Sequence, residues 1–415
     1  MPHFGYGQLP TLLSQTGTFS DTAALTPSPA LLPYNVISPL WSDGAHKFRW
    51  LAVPHSVTTS EDSATISFTP NGEWYFPSGT VAVKHFSLPI DERDPTRLRR
   101  LETRILVRSL NGLVYGATYR WRDDQLDAEL LRDERGEDIT ITNRDGSTRT
   151  QTWTYPSPSQ CLICHHHIAG DILGITTRQL NRAGDDGVNQ LATWNDLGLF
   201  DPPIAPAEFA KLPRLVPPDA ASAPLADRAR SYLDANCSHC HRPGALPFVS
   251  YDARFETPLE RQNLLNVRPV IDYGIDRVRY LKPNDPWRSM LLVRLLRSDT
   301  MKMPPIGRNV VDSHGVKLMR DWITSMEGRT ALEPPTVHVT GDLASGPVTL
   351  TAQHSDPAAE LHYTLNGELP DDESPRYLKP LILSAPATVR FKAIRKGFAS
   401  SIAVLTTLSE TPQRP

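Results

Sequence analysis

Residues 79–88, GTVAVKHFSL, and residues 101–121, LETRILVRSLNGLVYGATYRW, decide the architecture of the first half of this chain. Both stretches are rich in Val, Ile, Thr, Tyr and Trp, which favour a pleated, half-buried surface. Asn111-Gly112 between two such runs is a strong two-residue hairpin signal. The period of two puts Val81, Val83 and His85 on one face of a strand, while Lys84 points the other way. Working outward, SATISF (63–68) and DITITNRDGSTRTQTWTY (138–155) also read as strands, the second broken by an Asp145-Gly146 turn. The charged stretch between two of these runs, DERDPTRLRRLETR (91–104), mixes both signs and reads as a solvated loop and strand face.

Beyond residue 155 the character changes. GDILGITTRQLNR and LATWNDLGLF suit short helices and turns, and the Pro/Ala-rich residues 201–224 read as a semi-extended linker. PLADRARSYLDANCSHCH carries Leu225, Ala229, Tyr232 and Leu233 at helical spacing. SMLLVRLL and SHGVKLMRDWITSM are further helix candidates, with Ser313 at an N-cap position. After the Pro334-Pro335 boundary, TVHVTG, GPVTLTAQ, ELHYTLNG, KPLILS and TVRFKAIRKG alternate with turns and read as a small antiparallel sandwich. The expected fold class is multidomain α+β. It comprises a β-rich region (1–205), an α-helical domain (220–330) and a C-terminal β-sandwich (335–415).

The 415 residues carry a net charge of −3. No concentrated basic face is present, so nucleic-acid binding is not expected. No window approaches the length of apolar sequence that spans a membrane. The 38 prolines point to many loops and short elements rather than a helical bundle.

The only four cysteines form two C-x-x-C-H motifs, Cys161-Leu162-Ile163-Cys164-His165 and Cys237-Ser238-His239-Cys240-His241. In this motif the two thiols add across the vinyl groups of a haem and the histidine binds its iron. Cysteines three apart lie on one side of a turn, with the following residue facing the metal. The motifs therefore imply two covalently bound haem c groups, held by Cys161, Cys164, Cys237 and Cys240, with His165 and His241 as proximal ligands. A redox C-x-x-C does not need a histidine after both pairs. A four-cysteine zinc site requires the two pairs to converge. Disulfides leave both trailing histidines unexplained.

Electron-transferring haems need a sixth ligand, commonly Met or His. For the second haem Met303, set before Pro304-Pro305, is the candidate; Met301 is the fallback, and Met290 and Met319 read as packing residues. For the first haem no methionine lies in its own region. The histidines available are His46, His55, His85, His166 and His167, and His85, in phase with buried valines, is preferred. Lys84 and an open site are the alternatives, and a metal site in the HHH run is a minor one. Covalent haem attachment takes place outside the cytoplasm, so a periplasmic or secreted location is expected. The first residues, MPHFGYGQLP, do not read as a signal peptide, so the export signal is expected to lie outside this sequence.

PYNVISPLWSDGAHKFRW, FPSGTVAVKHF, ETRILVR, YPSPSQCLICH, LGITTRQLN, ARSYLDANCSHCHRPG and MPPIGRNVVD together resemble an uncharacterised bacterial family of di-haem c-type cytochromes. The resemblance covers roughly residues 10 to 327. It implies a β-rich first haem region, a cytochrome-c-like second region, secretion and electron transfer, with a sugar or alcohol dehydrogenase as redox partner. The tail, LHYTLNGELPDDESPRYLKPLILSAPATVRFKAIRKGFASS, resembles the chitobiase C-terminal-like module, with Asn366-Gly367 where the usual pattern has Asp-Gly. That resemblance implies a β-sandwich able to contact polysaccharide or a protein partner. No carboxylate pair is assigned to hydrolysis, and no catalytic residue is expected. The chain reads as an electron carrier rather than a catalyst, the alternative being a di-haem peroxidase or oxygenase with an open first haem.

Overall fold

The computed structural model describes residues 9–54 and 65–409. The chain forms two compact units, one of residues 1–258 with 298–315 and the other of residues 259–297 with 316–415.

The first unit is built on a six-stranded antiparallel sheet in simple up-and-down order: Leu32–Pro33, His46–Ala52, Val81–Pro89, Leu98–Arg108, Val114–Trp121 and Ala128–Leu131. The Asn111-Gly112 turn joins the two strands it was expected to join, with Arg108 paired to Val114. The sheet is buried on both faces. On one, Val81, Val83, Ile105, Val107, Tyr119 and Trp121 pack with Leu13, Phe19 and Leu31 from the start of the chain. On the other, Leu51, Leu106 and Ala82 pack with Trp74, Ile172, Ile175 and Trp194. A separate hairpin, Arg135–Thr142 with Thr148–Tyr155, adds Ile139, Ile141, Trp153 and Tyr155 to a cluster around Phe86 and Leu101.

Several expectations are corrected here. The 91–104 stretch is solvated in its loop part, where residues 92, 93 and 95–98 are exposed, but not at its ends. Asp91 is buried against Arg93 and Arg97, and the fully buried Glu102 accepts from Arg104 and the Trp153 indole. Residues 201–224 are not a free linker. Phe200–Asp201 pairs in parallel with Ile66–Ser67, and Ile204, Leu212 and Leu215 are buried. In the described part of the 63–68 run, residues 65–68, Ile66–Ser67 is a two-residue strand, and Ser67 also bridges Tyr75 in the antiparallel sense. The helical domain expected over 220–330 is not shown as a body of its own. Within it, Leu225–Cys237 lies in the first unit, Met290–Leu296 in the second, and Ser313–Ser325 begins in the first and continues into the second. Ser313 is the first residue of that last helix, and its capping role falls to Asp312, whose carboxylate accepts from the Gly315 amide at 2.9 Å.

The second unit contains two three-stranded antiparallel sheets. One orders Thr336–Thr340, Val348–Gln353 and Leu381–Leu383; the other orders Glu360–Thr364, Ala387–Ile394 and Val404–Leu408. Val348 and Leu350 of the first meet Val389, Phe391 and Leu408 of the second in one core, which makes this region sandwich-like. The 259–297 segment is tied to it through Arg288. This 1% exposed guanidinium reaches Asp276, Asp285 and the carbonyls of Ser400 and Ser401.

Candidate functional site

Helix Pro158–Cys164 starts with reciprocal capping. The Ser157 hydroxyl accepts from the Gln160 amide, the Gln160 side chain accepts from the Ser157 amide at 2.9 Å, and Pro158 occupies the first helical position. The helix lies on strand Val114–Trp121. Gly116 makes that approach possible, because a Cβ there would sit 3.0 Å from both Cβ and Sγ of Cys161. A cavity of about 250 Å³ opens beside this contact. Cys161, Cys164 and His165 line it, as do Ser238, His239 and Cys240 of the second motif.

The His165 Nδ1 lies 2.8 Å from the carbonyl oxygen of Asp171. A carbonyl can only accept, so Nδ1 carries the proton and Nε2 keeps its lone pair. Burial pushes the His165 pKa down to about 4, so the ring is neutral near pH 7. A neutral imidazole with its second nitrogen oriented by a backbone carbonyl is the arrangement a metal-ligating histidine uses.

The two motifs converge. The ligand atoms of Cys164, His239 and Cys240 all lie within 4.8 Å of one another. Their flanks are stapled together. His166 Nε2 donates to the His239 carbonyl at 3.1 Å, and Arg242 donates to the Ile168 carbonyl at 3.2 Å while pairing with Glu73. Helix Leu225–Cys237, which delivers the second motif, is held by a buried ion cluster in which Arg178 meets Asp234 at 2.9 Å and Glu73 at 3.1 Å.

The His241 ring stacks on Tyr251 with centroids 4.2 Å apart. Neither His241 nor Cys237 is among the residues lining the cavity. Met303 is half-buried in the 298–315 segment and does not line it either, although Pro304 and Pro305 do. Met290 and Met319 are buried.

His85 is not brought to the cavity. It is buried, with Nδ1 at 2.8 Å from the Thr103 hydroxyl and Nε2 at 3.0 Å from the Ser87 hydroxyl, and its ring meets Trp121 edge-on. The valine phase places it on the face packed against the start of the chain. The opposite face of the same strand, with Ala82, Lys84 and Phe86, lines the cavity. His46 and His167 are exposed, and His55 lies outside the described residues.

Sequence reasoning missed the polar wall of this cavity. Arg49 pairs with Lys84 and Lys84 with Arg104 in the sheet register, so three cations stand in a row across adjacent strands on one face. Lys47 stands two residues from Arg49 on the same strand, and burial lowers its pKa to about 7. Arg104 is paired with Glu102 at 2.6 Å, whereas among the described residues no carboxylate pairs with Arg49 or Lys84. Burial, then the neighbouring Arg49 and Lys47, hold the Lys84 pKa well below the usual lysine range. The signal was the charged residue at each in-register position of three strands, but a period-two pattern reads such residues as solvent-facing.

In the second unit, two facing sheets and the Asn366-Gly367 turn between strands define a separate module. Residues 339–406 match the chitobiase/beta-hexosaminidase C-terminal domain. The turn glycine of this domain has φ +80°, a conformation that favours glycine. None of the curated proteins compared with the chain matches it.

Proposed function

We propose that this chain is a di-haem c-type cytochrome that carries electrons in the periplasm or outside the cell. The observation that carries the reading is His165. It follows a C-x-x-C pair, lines the cavity, and has Nδ1 fixed on a backbone carbonyl so that Nε2 is left for iron. Cys161 and Cys164 would hold the first haem, and Cys237 and Cys240 the second, with His165 and His241 as the iron ligands and Met303 as the distal candidate at the second. Bound there, the haem iron supplies one-electron redox chemistry. The chain's own part is to orient the imidazoles, to keep His165 neutral by burial, and to enclose the first site between sheet and loops. The convergence of the two motifs supports exchange of electrons between the two sites. A dehydrogenase acting on sugars or alcohols is the proposed donor, and the chitobiase-like module is a proposed contact for polysaccharide or protein. A peroxidase or oxygenase remains the alternative activity if the far side of the first site is open.

The test is expression with covalent haem-maturation machinery, followed by intact mass and an alkaline pyridine spectrum. Two covalent haems per chain are expected, falling to one on Cys161→Ala/Cys164→Ala.

A second reading rests on the cluster of Cys164, His239 and Cys240, whose mutual distances suit a thiolate-bound metal such as zinc. It leaves His165 and the cavity without a role. Zinc retained through gel filtration, with no covalent haem, would favour it.

A further inference from the structure

We propose that Lys84 is the far-side ligand of the first metal centre, its Nζ binding the iron whose other axial position is held by His165. The proposal rests on the haem reading and concerns the one position that reading leaves open.

Lys84 lines the same cavity as His165. Its strand neighbour His85 is turned to the other face and spent on Thr103 and Ser87. Met303 does not line the cavity. The other histidine there, His239, lies beside the Cys164 and Cys240 sulfurs, on the attachment side.

Two further features single out Lys84. Among the described residues its ammonium has no hydrogen-bond or ion-pair partner; its one polar contact is with the Phe86 ring, 5.2 Å from the centroid. It also stands in register between Arg49 and Arg104. Like charges directly opposite one another in a sheet are destabilising. Arginine cannot shed its proton in a protein, so of the three only the lysine can relieve the repulsion by becoming a neutral amine. A neutral amine is the form that coordinates a metal. On ligation the Nζ proton passes to solvent and the nitrogen lone pair forms the bond to iron.

The order across the sheet agrees. The first motif is seated on Gly116 of strand Val114–Trp121, next to Arg104's strand. Lys84 is one strand further and Arg49 one further still, at about 4.8 Å per strand. A flat ring attached through Cys161 and reaching across the sheet would pass Arg104, then Lys84, and bring its carboxylate edge toward Arg49.

The experiment uses full-length, haem-loaded protein and compares wild type with Lys84→Ala and Lys84→Arg. Covalent haem is counted by intact mass, and axial ligation is read by electron paramagnetic resonance, the near-infrared spectrum of the ferric protein, and carbon monoxide binding to the ferrous protein. Both variants should keep two haems per chain. Both should lose one low-spin ferric signal, gain a high-spin one, and bind carbon monoxide at one haem. Lys84→Arg is decisive, because it keeps the charge but cannot ligate. A wild-type spectrum in Lys84→Arg, or in Lys84→Ala, overturns the proposal and leaves Lys84 as a cation facing the haem carboxylates. Loss of the low-spin signal in His239→Ala alone also overturns it. Wild-type protein without covalent haem sinks the underlying reading instead, which the mass measurement reports separately.

Discussion

The sulfurs of Cys164 and Cys240, the last cysteine of each C-x-x-C-H motif, lie within 4.8 Å of each other although one residue ends helix Pro158–Cys164 and the other follows helix Leu225–Cys237. The two cysteine pairs therefore meet, and each helix that delivers one of them is held by contacts of its own.

The approach of the first helix depends on Gly116. Gly116→Val would place a branched side chain where a single Cβ already meets Cys161 at 3.0 Å. The steric cost of such overpacking is about 1–3 kcal/mol. The expected result is a lower denaturation midpoint and loss of covalent haem at the first motif, with the second retained. Intact mass of the variant and of its Cys237→Ala/Cys240→Ala derivative checks this.

The docking of the second helix depends on Arg178. Arg178→Met leaves the buried Asp234 without its cation. Removing one member of a buried ion pair costs about 3–5 kcal/mol. Adding Asp234→Leu should recover part of that loss, since the stranded charge is then gone. Guanidinium unfolding of the two variants gives the comparison. Equal midpoints for single and double variants would show that packing, and not charge, holds the helix.

His85 predicts a pH dependence. Burial, and secondarily Arg100, lower its pKa from 6.5 to about 3. The unfolded chain therefore binds a proton that the folded chain refuses, so the cost falls on acidification. Stability from this residue is complete above about pH 6.5 and declines as pH falls toward 3, by at most about 1.4 kcal/mol per pH unit. His85→Gln should flatten that part of the stability curve and leave the first haem's axial ligation unchanged. A ligand-loss spectrum in His85→Gln would restore His85 as an iron ligand.

Within the second unit, Arg288→Met removes the cation shared by Asp276 and the buried Asp285, leaving them Lys392 and Lys282, and should cost up to about 3 kcal/mol. Because Arg288 also donates to the carbonyls of Ser400 and Ser401, the loss should appear in the unfolding of the sandwich itself. Hydrogen exchange of strand Ala387–Ile394 in the full chain is the readout.

The strands of the first sheet were legible because their alternation and the Asn111-Gly112 turn are local signals. So was the chitobiase-like module, which the family match over residues 339–406 supports. The face that matters was not legible. Val81, Val83 and His85 do share a buried face, but the sheet is buried on both sides, and the cavity lies under Lys84. A period-two pattern says which residues are together and cannot say which side holds the site. The same limit explains Glu102 and residues 201–224. Charges and prolines read as exposed until tertiary partners, here Arg104 with Trp153 and the core under Leu215, enclose them.

The wall formed by Pro304 to Asn309 has a consequence in time. Asp43 accepts from the amides of Asn309 and Val310, and Asn309 reaches Thr154, so the wall is fixed to the first unit by bonds to residues far upstream. It arrives late in synthesis, after both motifs and after residues 259–297. A chain emerging amino end first thus exposes both cysteine pairs while this side of the first cavity still lacks its wall. That side of the cavity therefore closes only when residues 304–309 have joined Asp43 and Thr154, the last of its walls to be made.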